Sequence, residues 1–573
     1  MSGDWIDLGP IDAFPVGTPT LRKVEGQRFV CVRDGNEVHA LDDRCPHQGY
    51  PLSEGSLRQG VLTCEWHNWK FEVATGACTF GGEPARRYPT RVEGGRVALD
   101  RAVDAKLEAP RLTTSMRDAL RENDVSRALR EGLRLGQILS SDPGQPSALG
   151  GLEPAFIVLA RDGAERAPWG FDHGLALLSD LCTWTERGWV QGAEAFALAA
   201  GAIGEPNAHL GARATEAEDL VNLGELHRIA GDLAAERRGD AEARVRALVR
   251  TRGAEVTARE GLVPFVARHL YDYGHGAIFL AKGLEIALRF PSIAEEVLAA
   301  ATVELGWATA ETALPPFTAT RAALERIAGL KITAAPRSEL DRGAYEAEVL
   351  EGERTAVTGT LARLERGCAP LELLRASGHA AAIRLGRFDR AWERKLEAEV
   401  NVLDVTHVVT FTEAAIALGR GADPHHTAAL ALLAAGFIGK LRRSDALSPS
   451  GPGAGAETQA AAGVLEDAVG ARDLPRSLAI ALGKDQEARR AAYAQLAPFA
   501  AFDAAVRPIF YAHTVKTLEA LWRLDSADPD ADGAYLEALL KYIVPVRREI
   551  NPRRTAAVAR KFLTDGRPPE GLY

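Results

Sequence analysis

Between residues 45 and 67 the chain reads Cys45-Pro-His47, sixteen further residues, then Cys64-Glu-Trp-His67. Each of two short segments offers one thiol and one imidazole, so the fold must bring two loops together around one metal-binding centre. The flanking sequence suits that task. Runs such as Phe29-Val30-Cys31-Val32 and Val61-Leu62-Thr63 are rich in strand formers, and Asp34-Gly35-Asn36 and Glu93-Gly94-Gly95 punctuate them as turns. This pattern predicts a small antiparallel β domain over residues 1–104. After residue 104 alanine, leucine, glutamate and arginine take over at helical spacing, with clear runs around 191–203, 276–290, 375–387, 404–418 and 428–443. The expected fold is therefore multidomain: a small antiparallel β domain followed by a large all-α domain over 105–573. Two Pro/Gly/Ser-rich stretches, Ser140 to Gly151 and Ser448 to Glu457, read as connections.

One cysteine and one histidine per loop suits a [2Fe-2S] cluster in which two imidazoles replace two thiolates on one iron. Cys45 and Cys64 hold the inner iron as thiolates, and His47 and His67 reach the outer iron. Neutral imidazoles lower the cluster's negative charge and raise its potential above that of all-cysteine clusters. Zinc is the competing reading, because two cysteines and two histidines also bind zinc. Zinc fingers, however, pair cysteine with cysteine and histidine with histidine. The two loops, the Gly49, Leu52-Ser53 and Gly55 punctuation and the Thr75-Gly76 turn resemble Rieske proteins over residues 1 to about 104. Respiratory Rieske proteins carry an extra cysteine in each loop and a serine after the second histidine. Here those places hold Tyr50, Trp66 and Asn68-Trp69. The resemblance is thus to the ferredoxin and oxygenase type, with a potential expected towards the roughly −150 mV end of the Rieske range. Cys31 and Cys78 read as ordinary buried thiols outside the motif.

Composition narrows the remaining possibilities. A net charge of −10 argues against a nucleic-acid binder, which needs a basic face. No apolar run reaches the roughly 18 to 20 residues needed to span a bilayer, and the N-terminus lacks a signal-peptide pattern. Six cysteines, two of them cluster ligands, make no disulfide framework, so a reducing, cytoplasmic setting is expected. A homo-oligomer is compatible with this composition.

The helical part lacks the Asp, His, His signature of the usual Rieske oxygenase iron site. Asp272-Tyr-Gly-His275 and Asp404-Val-Thr-His407 each supply only its first half. Four histidines nevertheless lie in apolar helical sequence: His173, His275, His407 and His513. Leu403, His407, Ala414 and Leu418 share one stripe, and Val506, Ile509, His513, Lys516, Ala520 and Leu524 share another. A histidine in such a stripe points into the bundle, where metal sites are built from facing helices. Taken singly, each is more commonly a core histidine bonded to a neighbour. The four together behind an electron-delivering cluster suggest non-heme iron, with Asp272, Asp404, Tyr273 and Tyr511 as candidates to orient the ligand imidazoles. His209, His425 and His426 read as surface residues; His227, His269 and His379 are ambiguous.

The order of four segments is similar to that of questin oxidase-like proteins. They are His173-Gly-Leu-Ala-Leu-Leu, Gly274-His275-Gly276 leading into Gly283-Leu284-Glu285, Val405-Thr406-His407-Val408-Val409-Thr410, and His513-Thr-Val-Lys516-Thr-Leu-Glu-Ala. That resemblance, patchy over about 165–550, implies a helical oxygenase with histidine-ligated iron acting on aromatic substrates by oxidative ring opening. The fused Rieske domain departs from the fungal pattern and would replace an outside reductant as the immediate electron source. Lys516 shares the apolar face of His513, where a free ammonium is costly. A buried carboxylate partner, carbamylation to an iron ligand, and snorkelling to the surface are its three outlets, and the resemblance favours carbamylation. The expected partners are a ferredoxin or flavin reductase, dioxygen and a small organic substrate. Two alternatives stand beside this reading. One is a di-iron oxygenase using the Asp-x-x-His pairs with further carboxylates such as Glu218 and Glu399. The other is a non-catalytic electron-transfer or redox-sensing protein whose helices form a docking scaffold.

Overall fold

The computed structural model describes residues 4–102, 105–139, 149–215, 222–307, 318–398, 400–446, 463–502, 507–545 and 551–565. The predicted connection at Ser448 to Glu457, most of that at Ser140 to Gly151, and Glu218, Glu399 and Val506 lie outside these residues. Two compact units divide the chain: Met1–Ala119 with Asp124–Gln145, and Leu120–Asn123 with Pro146–Tyr573.

The first unit holds three antiparallel sheets. Strands β1 (Trp5–Pro10), β10 (Thr90–Glu93) and β11 (Arg96–Asp100) form one, in the order β1-β11-β10. Strands β2 (Thr20–Val24), β3 (Gln27–Asp34), β4 (Glu37–Asp42) and β9 (Arg87–Tyr88) form the second, and β5 (Ser56–Arg58), β6 (Val61–Thr63), β7 (Lys70–Glu72) and β8 (Cys78–Phe80) the third. Strand β3 explains how they combine. Side chains alternate faces along a strand, so Phe29 and Cys31 enter one core with Val38, Ala40 and Leu99. Val30 and Val32 enter a second core with Leu52, Leu62, Phe71, Cys45 and Cys64. The expected turns at Gly35-Asn36 and Gly94-Gly95 close β3–β4 and β10–β11.

Helices α1 (Ala105–Arg121) and α2 (Val125–Leu139) begin where the composition changes, yet they belong mostly to this first unit. Electrostatics accounts for it. Glu83 on the β side is fully buried and accepts from Arg130 at 2.7 Å and Arg134 at 3.1 Å on α2. Ser115 on α1 donates to buried Glu131 at 2.9 Å and accepts from Arg127 at 3.0 Å. The compact unit therefore runs past residue 104 because a carboxylate buried by the strands finds its cations on the helices.

Among its described residues the second unit's regular structure is helical, apart from one isolated bridge between Phe388 and Asp445. The predicted runs appear as helices Gly192–Asn207, Tyr271–Arg289, Pro370–Gly386, Val402–Gly419 and Pro424–Lys440. Four helices form a closed ring, each packed against the next: α3 (His173–Glu186), α4 (Tyr271–Arg289), α5 (Val402–Gly419) and α6 (Pro508–Ala527). By length and composition α5 is apolar enough to cross a membrane, a property the run-length reading missed. It is 89% buried in the unit, as the central helix of a bundle would be.

Removing both cations from Glu83 leaves a buried charge unpaired, which costs about 3 to 5 kcal/mol. The double variant Arg130→Ala/Arg134→Ala should lose about that much in the opening free energy of the β3 and β4 amides, read by hydrogen exchange. Glu83→Gln should lose about 1 kcal/mol.

Candidate metal centres

The four histidine-bearing helices begin at the same level, each by its own device. The Asp172 side chain caps α3 by accepting from Leu175 N–H at 3.0 Å, which makes His173 the first helical residue. Asn401 and Asp404 form a capping box at the start of α5, and Pro508 stands at the first position of α6. Helix α4 enters through three left-handed residues, Asp272, Tyr273 and Gly274. At Gly274 a Cβ would run into the Phe411 ring, so only glycine fits there.

These starts bring His173, His275, His407 and His513 together, with one ring nitrogen from each lying within 4.8 Å of all the others. Neighbouring Nε2 atoms are 3.1 Å apart for His173 and His275, 3.0 Å for His275 and His407, and 3.3 Å for His407 and His513. Three Nδ1–H groups point outwards. His275 donates to Asp272 at 2.9 Å, His407 to the Leu403 carbonyl at 2.6 Å and His513 to the Ile509 carbonyl at 2.6 Å. Those bonds fix the tautomer and turn the Nε2 lone pairs inwards. Burial pushes His173, His275 and His407 below their ordinary range, and neighbouring positive charge adds to it. These three rings are thus neutral near pH 7, the form that binds a metal. Phe279 stacks on His275 with centroids 4.8 Å apart and meets His173 edge-on. Lys516 is buried, its Nζ has no hydrogen-bond partner and lies 5.8 Å from the Phe279 centroid. Burial lowers its ammonium to about 7, against the pull of Asp180.

In the first unit the two loops share one hydrogen-bond scheme. Cys45 N–H donates to Tyr50 O at 2.8 Å and Gly49 N–H to Cys45 O at 2.8 Å; Cys64 N–H donates to Trp69 O at 2.8 Å and Asn68 N–H to Cys64 O at 3.0 Å. Gly49 and Asn68, at matching places, both adopt positive φ. The sulfurs are buried while the His47 and His67 rings meet edge-on with centroids 4.5 Å apart. Burial pushes the Cys45 thiol up to about 12 against the pull of the His47 and Gln48 backbone N–H groups. His47 Nδ1 is buried without a partner. Two adjoining thiols with backbone donors aimed at sulfur and an orphaned imidazole nitrogen fit a [2Fe-2S] cluster.

Residues 4–90 match the family of the Rieske [2Fe-2S] domain. The chain is 38% identical over 100 residues to the anthranilate 1,2-dioxygenase ferredoxin subunit of Burkholderia cepacia, covering 17% of this chain and 92% of that protein. It is 35% identical over 101 residues to the ferredoxin component of the alkene monooxygenase system of Xanthobacter autotrophicus, covering 17% and 80%. Over these N-terminal residues the chain belongs to the Rieske [2Fe-2S] family. Among solved structures, the ferredoxin of carbazole 1,9a-dioxygenase from Nocardioides aromaticivorans IC177 is 29% identical over 17% of this chain and 95% of its own, with a TM-score of 0.16.

Within the Rieske unit Cys31 is a buried free thiol and Cys78 a half-buried one. The Trp69 ring stacks on His47 at 4.7 Å with only 9° between the planes, a contact the sequence reading did not foresee. Gly81 leaves room for that indole.

Other sequence-predicted residues divide. Asp272 accepts from His275 Nδ1–H at 2.9 Å, although its side chain is mostly exposed. Tyr273 lies over His407 with centroids 5.5 Å apart. Asp404 accepts from the Asn401 N–H at 2.9 Å, and His407 takes the Leu403 carbonyl instead. Tyr511 donates to Leu198 O at 3.3 Å, a carbonyl on the neighbouring helix Gly192–Asn207. Capping engages Asp404 and packing engages Tyr511, two of the side chains named as candidates to orient the imidazoles. His209 and His227 are exposed and His425 and His426 half-buried, while His269 stacks on Phe265 and His379 bridges Glu346 and Asp532.

The reduced protein should give a Rieske-type paramagnetic resonance signal and a potential near the low end of that range. His67→Cys adds thiolate charge to the outer iron, so the potential should fall in any protein that still assembles the cluster. Potentiometry of the two proteins at equal cluster content measures it; an unchanged or higher value contradicts the ligand assignment.

Proposed function

We propose that the chain is an oxygenase in which the Rieske cluster passes electrons to one iron held by His173, His275, His407 and His513. The observation that carries this reading is the meeting of four Nε2 atoms, three of them aimed by bonds to the opposite ring nitrogen. Bound there, iron supplies a centre for reducing dioxygen and oxidising an organic substrate. The chain's own residues prepare that chemistry. Asp272 and the Leu403 and Ile509 carbonyls hold the imidazoles, and burial keeps the rings neutral. Phe279 and Tyr273 pack against them and limit water. The ferredoxin roles in the names of the relatives support an electron-transfer partnership with a ferredoxin or flavin reductase. The order of the histidine segments, similar to questin oxidase-like proteins, supports an aromatic substrate and oxidative ring opening.

Lys516 serves in this reading as a further ligand after carbamylation. Its orphaned, buried Nζ is held near the neutral amine, the form whose lone pair adds to carbon dioxide with loss of a proton. The carbamate oxygen then offers the negative charge that four neutral imidazoles lack. One ion is favoured over two because, among the described residues, the cluster gathers four imidazoles and no carboxylate.

Metal and acid-labile sulfide counts test the assignment. One iron per chain beyond the cluster's own is expected, and His407→Ala should remove at least about 90% of it, on the scale of a lost metal contact, while the Rieske signal stays. Two extra irons would favour the di-iron alternative; none would favour the docking scaffold.

Lys516→Ala should lose that iron or its turnover with the Rieske signal intact, and Lys516→Glu should recover part of the loss. Full occupancy and wild-type turnover in the alanine variant would remove Lys516 from the site.

A further inference from the structure

The two imidazoles of the Rieske loops stand in unlike surroundings. His67 is exposed, and its neighbour Trp66 is 56% exposed. The Trp66 ring tilts against His67 with centroids 5.0 Å apart and against Tyr50 at 5.5 Å. His47 is half-buried, and the Trp69 indole lies parallel to its ring at 4.7 Å. Water therefore meets one imidazole directly and is kept from a face of the other.

Trp69 is held in that position from several directions. Its carbonyl accepts from Cys64 N–H at 2.8 Å, so the residue belongs to the second loop while its ring reaches a ligand of the first. Phe71 packs beside it with centroids 6.4 Å apart, on the core that also takes in Cys45 and Cys64. The backbone of Gly81 and Gly82 packs directly on the indole. A Cβ at Gly81 would run into the ring, and one at Gly82 would touch it at 3.4 Å. The next residue is Glu83, which Arg130 and Arg134 of α2 fix at 2.7 Å and 3.1 Å. Those two cations are matched by Glu83 and Glu131. Helix α2 thus secures the turn at 81–83, and that turn holds the indole.

The chemistry of the cluster makes this side of it matter. Two thiolates, two sulfides and two ferric ions sum to zero charge. One electron converts one ferric ion to ferrous and leaves the cluster negative; no bond breaks. The iron held by neutral imidazoles takes that electron, because anionic thiolates disfavour it at the other. Water around the imidazoles stabilises the added charge, and an apolar ring in its place does not. Keeping water from His47 therefore favours the oxidised cluster and lowers its potential.

We propose that Trp69 lowers the potential of the Rieske cluster through His47, by sealing that imidazole from water while the His67 side stays open. Helix α2 serves the same end, since it clamps the turn on which the indole rests.

The full chain, carrying its cluster, tests this in two measurements on the Rieske paramagnetic resonance signal. One is its reduction potential; the other is the deuterium modulation of the signal in D2O, which reports exchangeable water close to the irons. Trp69→Leu should deepen the modulation and move the potential upward. The scale is a tenfold rise in the ratio of reduced to oxidised cluster, about 59 mV for one electron. Trp69→Phe keeps a smaller ring over His47 and should fall between; it carries the test if the leucine variant does not assemble the cluster. Trp66→Leu, an equal loss of indole on the open side, should stay nearer to wild type than Trp69→Leu. An unchanged or lower potential in the Trp69 variants, at equal cluster content, overturns the proposal. So does an upward shift with unchanged modulation, since the indole would then act on the imidazole by its electrons and not by excluding water. A shift in Trp66→Leu as large as that in Trp69→Leu overturns the one-sidedness on which the proposal rests.

Discussion

Four imidazoles share one small volume inside a ring of helices, and much of the helical unit follows from keeping them there uncharged. Neutral rings lying about 3 Å apart tolerate one another, whereas protonated ones would repel strongly in so buried a place. Neutrality requires burial, and burial requires that each outward N–H find an acceptor. The Leu403 and Ile509 carbonyls serve because helix geometry offers a carbonyl four residues back. His275 has no regular turn before it, so Asp272 takes that part from a left-handed backbone. Gly274 is the cost of that solution, since the same reversal drives its α-carbon against Phe411.

The Rieske unit solves a different problem with the same economy. Two loops, one leading from β4 to β5 and the other joining β6 to β7, present a thiol and an imidazole each, and both are locked by the same pair of backbone bonds. The left-handed residue that this scheme needs is glycine in one loop and asparagine in the other, the two residue types that reach that conformation at least cost. Trp69 closes one side by lying flat on His47.

Much of this was legible in the chain. The spacing of Cys45, His47, Cys64 and His67 identified the loops, since few ligand sets space donors that way. Four histidines stood out because each interrupts an apolar helical run, where an imidazole needs a reason to be. For Asp404 and Tyr511 the sequence named candidates near the histidines without saying which partner each side chain meets. Asp404 was taken by the capping box that starts its own helix, Tyr511 by a carbonyl of a neighbour.

What the sequence determined by itself is local: the loop ligands, the helical runs, and the change from strand to helix near residue 104. Those depend on periodicity and on the chemistry of single residues. Tertiary structure alone decided that α1 and α2 close the Rieske unit, because the carboxylate they neutralise is buried by strands some fifty residues earlier. It alone decided that His173, His275, His407 and His513 share one centre. Separations of 102, 132 and 106 residues among the bonded pairs carry no local signal. Only the packing of four helices with a common direction brings their N-terminal turns to one level, and that packing is an energy of the whole bundle.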